Sequence, residues 1–144
     1  MKPSTFLGKL DHGKISQAIA SAEKDTTGEI RVFVSHRNVA DARAAAEVQF
    51  LKLDMNKTKH RNGVLLFFAP SSQTFAIVGD QAIHEKCGHA LWEKLVGEVR
   101  VHLKQNQFTE GILHGIQAVG ALLGTHFPSD GTSRDELPNE VVED

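Results

Sequence analysis

The sequence has little cysteine, few aromatic side chains other than phenylalanine, and no long apolar run. Its single cysteine, Cys87, excludes an intramolecular disulfide. Tyrosine is absent, tryptophan occurs once, and 16 Lys and Arg stand against 18 Asp and Glu, so we expect no nucleic-acid partner. No apolar run approaches the roughly 18 residues of a membrane span, and the polar start lacks a signal-peptide core of about 7–15 apolar residues. We therefore expect a cytoplasmic protein without a membrane span.

The rest of the composition is typical of a globular protein. The chain has 144 residues, of which 40% are hydrophobic and 24% charged, and this predicts one soluble domain with one core. The net charge of −2 is divided unevenly, because residues 1–128 carry +3 and residues 129–144 carry −5. We predict a domain at 1–128 and an acidic tail at 129–144, and we expect a monomer. One hypothesis is that the tail folds back over the basic connector, residues 56–62.

Hydrophobic periodicity predicts the secondary structure. Apolar residues recur at helical spacing in segments 11–24, 40–54, 90–104 and 108–125, with a short helical turn at 81–86. Three runs rich in β-branched and aromatic residues predict strands at 29–36, 63–69 and 74–79. The second run is apolar on both faces and indicates a central buried strand. Glycines at 111, 115, 120 and 124 of the last helix predict a face packed closely against another element.

The order of these elements predicts the fold class, an α/β protein. We expect a three-layer α/β/α sandwich, in which helices cover both faces of a small mixed β-sheet. A crossover helix joins the first two strands, which should be parallel, and a tight turn joins the third strand as an antiparallel hairpin. Segments 27–29, 61–63 and 79–80 should then meet at one edge of the sheet. This edge is the candidate site, and a solvated rim of turns is the alternative.

Four segments resemble a known family. They are TTGEIRVFVS, NKTKHRNGVLLFFAP, FAIVGDQAI and the glycine-punctuated FTEGILHGIQAVGALL, and together they resemble the TPM domain, named after thylakoid-lumen, photosystem II repair and related membrane proteins. The ending FPSDGTSRDELPNEV is similar to that of short soluble bacterial members. The resemblance implies a small α/β/α sandwich with proposed divalent-cation binding, chiefly of calcium, protein interaction or acid phosphatase activity. This chain departs from the family in lacking an anchor segment and in having Arg61 where many members carry an acid.

The resemblance also implies a metal site at the predicted edge of the sheet. Glu29 and Asp80 match acidic loop positions of the family, and Glu85 is placed to join them from the following turn. Calcium takes 6–8 oxygen ligands, so these carboxylates would need neighbouring carbonyls and water to complete the site. Our leading hypothesis is a domain that binds calcium or magnesium and contacts other proteins, without an organic cofactor.

Acid phosphatase activity is the enzymatic alternative. A cysteine-based phosphatase loop is excluded because Glu93 stands six residues after Cys87 where an arginine is needed, and no phosphate-binding glycine loop is present. The version that remains has a metal held by Glu29 and Asp80, charge stabilisation by Arg61 and proton donation by His84. The predicted catalytic residues are therefore Asp80, Arg61 and His84. A third alternative is a structural interaction module that uses the acidic tail.

Histidines do not form a recognisable zinc motif. The nearest candidate, His84 to His89, has one residue more than the HExxH spacing, so the two rings would not share a helix face. We therefore reject a metalloprotease.

Overall fold

A computed structural model describes residues 1–129 and 139–144. The helices are α1 (Pro3–Gly8), α2 (His12–Lys24), α3 (Ala42–Lys52), α4 (Gln81–Lys86), α5 (His89–Lys104) and α6 (Phe108–His126). The strands are β1 (Glu29–Val34), β2 (Gly63–Ala69), β3 (Thr74–Gly79) and β4 (Val142–Glu143), and short 3-10 turns occupy Met55–Lys57 and Pro70–Ser72. Within the described residues, no helix combines the length and the apolar character needed to cross a membrane.

The four strands form one mixed sheet in the order β3-β2-β1-β4. Strands β1 and β2 are parallel, with Glu29 opposite Gly63, and β2 and β3 are antiparallel, with Val64 opposite Gly79. These pairings confirm the predicted crossover and hairpin. Strand β4 adds a parallel pairing at the free edge of β1, where Phe33 lies opposite Val142.

Alternate residues of the sheet enter two separate cores, so the expectation of a single core is wrong, because the sheet itself divides the buried side chains between its two faces. Ile30, Val32 and Val34 of β1 join the larger core with α1, α2, α5 and α6. Phe33 of β1 faces the other way, into a smaller core with Phe50 of α3. All seven residues of β2 are buried, since helices cover both faces of this strand. The three-layer α/β/α sandwich predicted from the sequence is confirmed.

Gly115 and Gly120 of α6 pack closely against other elements, as predicted, whereas a Cβ on Gly124 would lie at an ordinary contact distance of 3.7 Å. A Cβ on Gly120 would lie 2.8 Å from the Cβ of Ala22 in α2, and a Cβ on Gly115 would lie 2.9 Å from a methyl group of Leu66 in β2. Both distances are shorter than ordinary carbon–carbon contacts of about 3.5–4.0 Å. Helix α6 can therefore approach α2 and the sheet only because these positions lack side chains.

The described end of the tail lies at the carboxyl end of β1. The Asp144 carboxylate accepts hydrogen bonds from the Ser35 hydroxyl (2.8 Å) and the His36 backbone N–H (2.7 Å), and Glu143 contacts the His36 ring at 2.8 Å. The basic connector leads into the amino end of β2, and the amino ends of the parallel strands lie at the opposite end of the sheet from the carboxyl end of β1. For residues 139–144 the expectation that the tail covers the basic connector is therefore wrong, because strand pairing with β1 holds them elsewhere. Residues 130–138 of the predicted tail lie outside the described part of the chain.

Candidate functional site

Three loops meet at the amino edge of the sheet, where β1 and β2 begin and β3 ends. The Asn62 side-chain amide donates a hydrogen bond to the Thr27 hydroxyl at 3.0 Å. The Arg61 guanidinium donates two hydrogen bonds to the Asp80 carboxylate, at 2.8 and 3.0 Å. Segments 27–29, 61–63 and 79–80 are thus brought together as predicted.

Strand register places Glu29 and Asp80 in one row across the sheet, with Gly63 between them. Glu29 lies opposite Gly63 in the parallel pair, and the Asp80 backbone N–H donates to the Gly63 carbonyl at 2.9 Å. Residues in one row project to the same face, and neighbouring strands are about 4.8 Å apart, so the two Cα atoms are about 10 Å apart. Glu29 is 3% exposed and Asp80 is 6% exposed. Two buried carboxyl groups therefore flank a position that has no side chain.

The carbonyl oxygen of Met55, in the segment that follows α3, lies above Gly63. A Cβ on Gly63 would lie 3.2 Å from the carbonyl oxygen of Met55. The Thr58 hydroxyl and the carbonyl end of the Asn62 side-chain amide are buried and have no hydrogen-bond partner among the described residues. Carboxylate, carbonyl and hydroxyl oxygens are the ligands preferred by hard cations such as Ca²⁺ and Mg²⁺. The oxygen types at this edge therefore match those that a hard divalent cation prefers.

Arg61 already supplies a positive charge to one side of this space. Its backbone is left-handed, with φ of 53°, and its carbonyl accepts a hydrogen bond from the Ala82 N–H at 3.2 Å. The hydrogen bond to Asp80 raises the pKa of Arg61, so the guanidinium stays charged at any physiological pH. Asp80 also accepts a hydrogen bond from the Gln81 N–H at 2.7 Å and so caps α4. Asp80 is therefore held by its own helix and by Arg61.

The other predicted site residues lie on α4. Glu85 and His84 are exposed, and the His84 ring is 6.3 Å from the ring of Trp92 in α5. Within residues 1–129 and 139–144, no three side chains of His, Cys, Asp or Glu are grouped so that they could hold a metal ion. The predicted set of Glu29, Asp80 and Glu85 is therefore not formed as a three-carboxylate group. The reason is local, because Asp80 starts α4 and the helix carries Glu85 outward.

Sequence reasoning missed two oxygen atoms near this edge, the backbone carbonyl of Met55 and the buried hydroxyl of Thr58. Met55 and Thr58 carry no charge, and the backbone carbonyl of Met55 leaves no signal in the sequence. The Arg61–Asp80 ion pair could have been predicted from the sequence, because an arginine just before β2 and an aspartate just after the antiparallel β3 lie close together across a hairpin. Cys87, by contrast, lies apart from this edge, and burial raises the pKa of its thiol.

Comparisons with known proteins identify a family and two structures of the same fold. The family model for the TPM domain matches residues 2–122. The chain is 34% identical to the BA42 protein from the psychrophilic bacterium Bizionia argentinensis, whose NMR structure superimposes with a TM-score of 0.85 over 92% of each chain. The N-terminal domain of cg2496 protein from Corynebacterium glutamicum shares the fold, with 18% identity and a TM-score of 0.63 over 88% of this chain and 80% of that one. None of the curated proteins compared with this chain matches it.

Proposed function

This chain belongs to the TPM domain family, and we propose that it is a binding domain for a divalent cation, calcium or magnesium. The site is the amino edge of the sheet, between Glu29 and Asp80. One observation carries the proposal, namely the row of Glu29, Gly63 and Asp80 with the Met55 carbonyl above the glycine. When bound, the cation would supply positive charge to the two buried carboxyl groups.

Arg61 limits the affinity of the proposed site. A cation that binds Asp80 must share that carboxylate with the guanidinium or displace it. The Arg61 side chain is 41% exposed, so it can turn into solvent when the carboxylate takes another partner. We therefore expect a weak site, with a Kd on the order of 10⁻³ M, comparable with the weaker calcium modules of other proteins.

An NMR titration tests the proposal. With millimolar calcium or magnesium, backbone amide signals of residues 28–30 and 79–81 should shift in a saturable way. The Asp80→Asn variant should lose these shifts, and it should still fold because asparagine also caps helices well. If the amide signals of the wild-type protein do not move at these residues with either metal, the cation site does not exist.

A pair of charge variants separates the role of Arg61 from a general effect of charge. Arg61→Asn removes the guanidinium but keeps a residue that tolerates a left-handed backbone, and it should tighten cation binding. Lys59→Asn removes the same charge from an exposed position of the same connector and should change the affinity much less. Equal effects of the two variants would show that the cation responds only to net charge.

Acid phosphatase activity remains a prediction of the family resemblance. In this chain the Asp80 carboxylate is engaged by Arg61 and by the Gln81 N–H, and His84 lies beside Trp92. Cation binding needs only that Arg61 share or release Asp80, whereas the catalytic role also needs His84 at the site, so a binding role is better supported. Turnover of a phosphomonoester between pH 5 and 7 that disappears in Asp80→Asn would reverse this order, and its absence would end the enzymatic hypothesis.

A further inference from the structure

A cavity of about 820 Å³ opens at the other end of the sheet, away from the proposed cation site. It lies beside the β2–β3 hairpin, at the end of β2 and the start of β3, and the first turn of α3 and the last turn of α5 contribute to its wall. Its volume is within the range of about 300–1,000 Å³ that is typical of small-molecule sites.

The floor of the cavity is a continuous aromatic surface. The ring of Phe6 is 6.1 Å from that of Phe68 and 5.1 Å from that of Phe108, and Phe68 stacks on Phe75 at 6.0 Å. Phe6 and Phe68 are almost fully buried, whereas Phe75 and Phe108 are partly exposed. A ligand with an apolar body would cover the two exposed rings and bury more apolar area.

The rim of the cavity is basic. Arg100 and Lys104 lie one turn apart on α5, and the Arg100 guanidinium is 5.5 Å from the Phe75 ring. Neither side chain forms an ion pair with any described residue. Asp41 is the single acid among the lining residues, and its carboxylate accepts a hydrogen bond from the Ala44 N–H at the start of α3. The two cations on α5 are thus available to an anion beside an apolar floor.

We propose that this cavity binds an amphipathic carboxylate of the fatty-acid class. Its head group would contact Arg100 and Lys104, and its hydrocarbon chain would lie on Phe75 and Phe108. The charge and the apolar surface occur side by side, so the ligand must carry both features in one small molecule. None of the residues of the proposed cation site lines this cavity, so the two proposals can be tested separately.

Decanoate, below its micelle concentration, is the probe for this proposal. Its addition should shift the amide signals of residues 73–75 and 100–108 in a saturable way. Acetate has the same head group without the chain, and decanol has the same chain without the charge, so both should bind at least about tenfold more weakly, as expected when a charged or an apolar contact is lost. Equal binding of decanol and decanoate, or an absence of shifts at these residues, would overturn the proposal.

Variants of α5 and β3 test the same contacts. The double variant Arg100→Gln/Lys104→Gln should weaken decanoate binding about tenfold or more. Lys94→Gln, an exposed position on the same helix outside the cavity, should leave it unchanged. Phe75→Leu removes the partly exposed ring of β3 but keeps an apolar side chain, and it should also weaken decanoate binding, while circular dichroism checks that the fold is kept. Undiminished decanoate binding in the double variant would refute the assigned head-group site.

Discussion

Two glycine-to-alanine substitutions in neighbouring helices should change stability in opposite directions. Gly97 lies inside α5, and a Cβ there would meet nothing within 4 Å. Gly120 lies inside α6, and a Cβ there would lie 2.8 Å from the Ala22 Cβ and 3.5 Å from the Ala22 Cα. Ala22 has no flexible side-chain end that could move aside, so α2 and α6 would have to separate.

The expected magnitudes follow from these distances. Replacing glycine by alanine within a helix is worth about 0.8–1.0 kcal/mol, and Gly97→Ala should gain this amount. Gly120→Ala gains the same amount but adds an overlap that typically costs about 1–3 kcal/mol, so it should lower the free energy of unfolding by about 1 kcal/mol. The two variants should therefore differ by about 2 kcal/mol, or about 4–8 °C in Tm for a domain of this size.

Urea denaturation followed by circular dichroism measures this difference. Both variants have the same composition, so effects of the substitution on the unfolded chain are matched. If Gly120→Ala is stabilised as much as Gly97→Ala, the contact between α2 and α6 is loose and the close-packing argument is wrong. Gly115→Ala should fall between the two, because the methyl group of Leu66 that it would meet belongs to a flexible side chain.

Three further predictions concern the site, the tail and the cysteine. Gly63→Ala should displace the Met55 carbonyl, which would lie 3.2 Å from the new Cβ, and should lower both Tm and calcium affinity; unchanged calcium titration would remove Met55 from the proposed site. Burial alone would raise the pKa of Asp144, but hydrogen bonds from His36 and Ser35 and the charge of Arg37 lower it below its usual 3.8. The Asp144 carboxylate therefore contributes stability that is present above pH 3.8 and is lost as the pH falls through its lower pKa in the folded protein. The NMR signal of the His36 amide, followed from pH 6 to 2, should report this loss. The Asp144→Asn variant should not show this pH-dependent change. Burial raises the pKa of Cys87, so the thiol should react slowly with a disulfide reagent at pH 7 and quickly in urea; fast reaction of the folded protein would contradict its burial.

Hydrophobic periodicity along the chain predicted the longer helices and strands. The predicted strands at 63–69 and 74–79 and the helical turn at 81–86 have the observed bounds. Helix α1 was missed because six residues are too few to show periodicity, although Pro3 stands at the helix start where proline is favoured. Strand β4 was missed because two residues cannot show alternation, and its position depends on backbone pairing with β1 and on the carboxylate of Asp144.

The sequence by itself determined three of the four strands, the central buried strand among them, and the edge at which Glu29, Arg61 and Asp80 meet. These follow from alternation, chain order and the handedness of crossovers, which act locally or between neighbouring elements. The sequence brings Arg61 near Asp80, but only the tertiary structure decided the two hydrogen bonds between them, the exposure of Glu85 and the position of the Met55 carbonyl above Gly63. Contacts of this kind depend on register and on how a connector folds across the end of a sheet, and these are fixed by the packing of the whole domain.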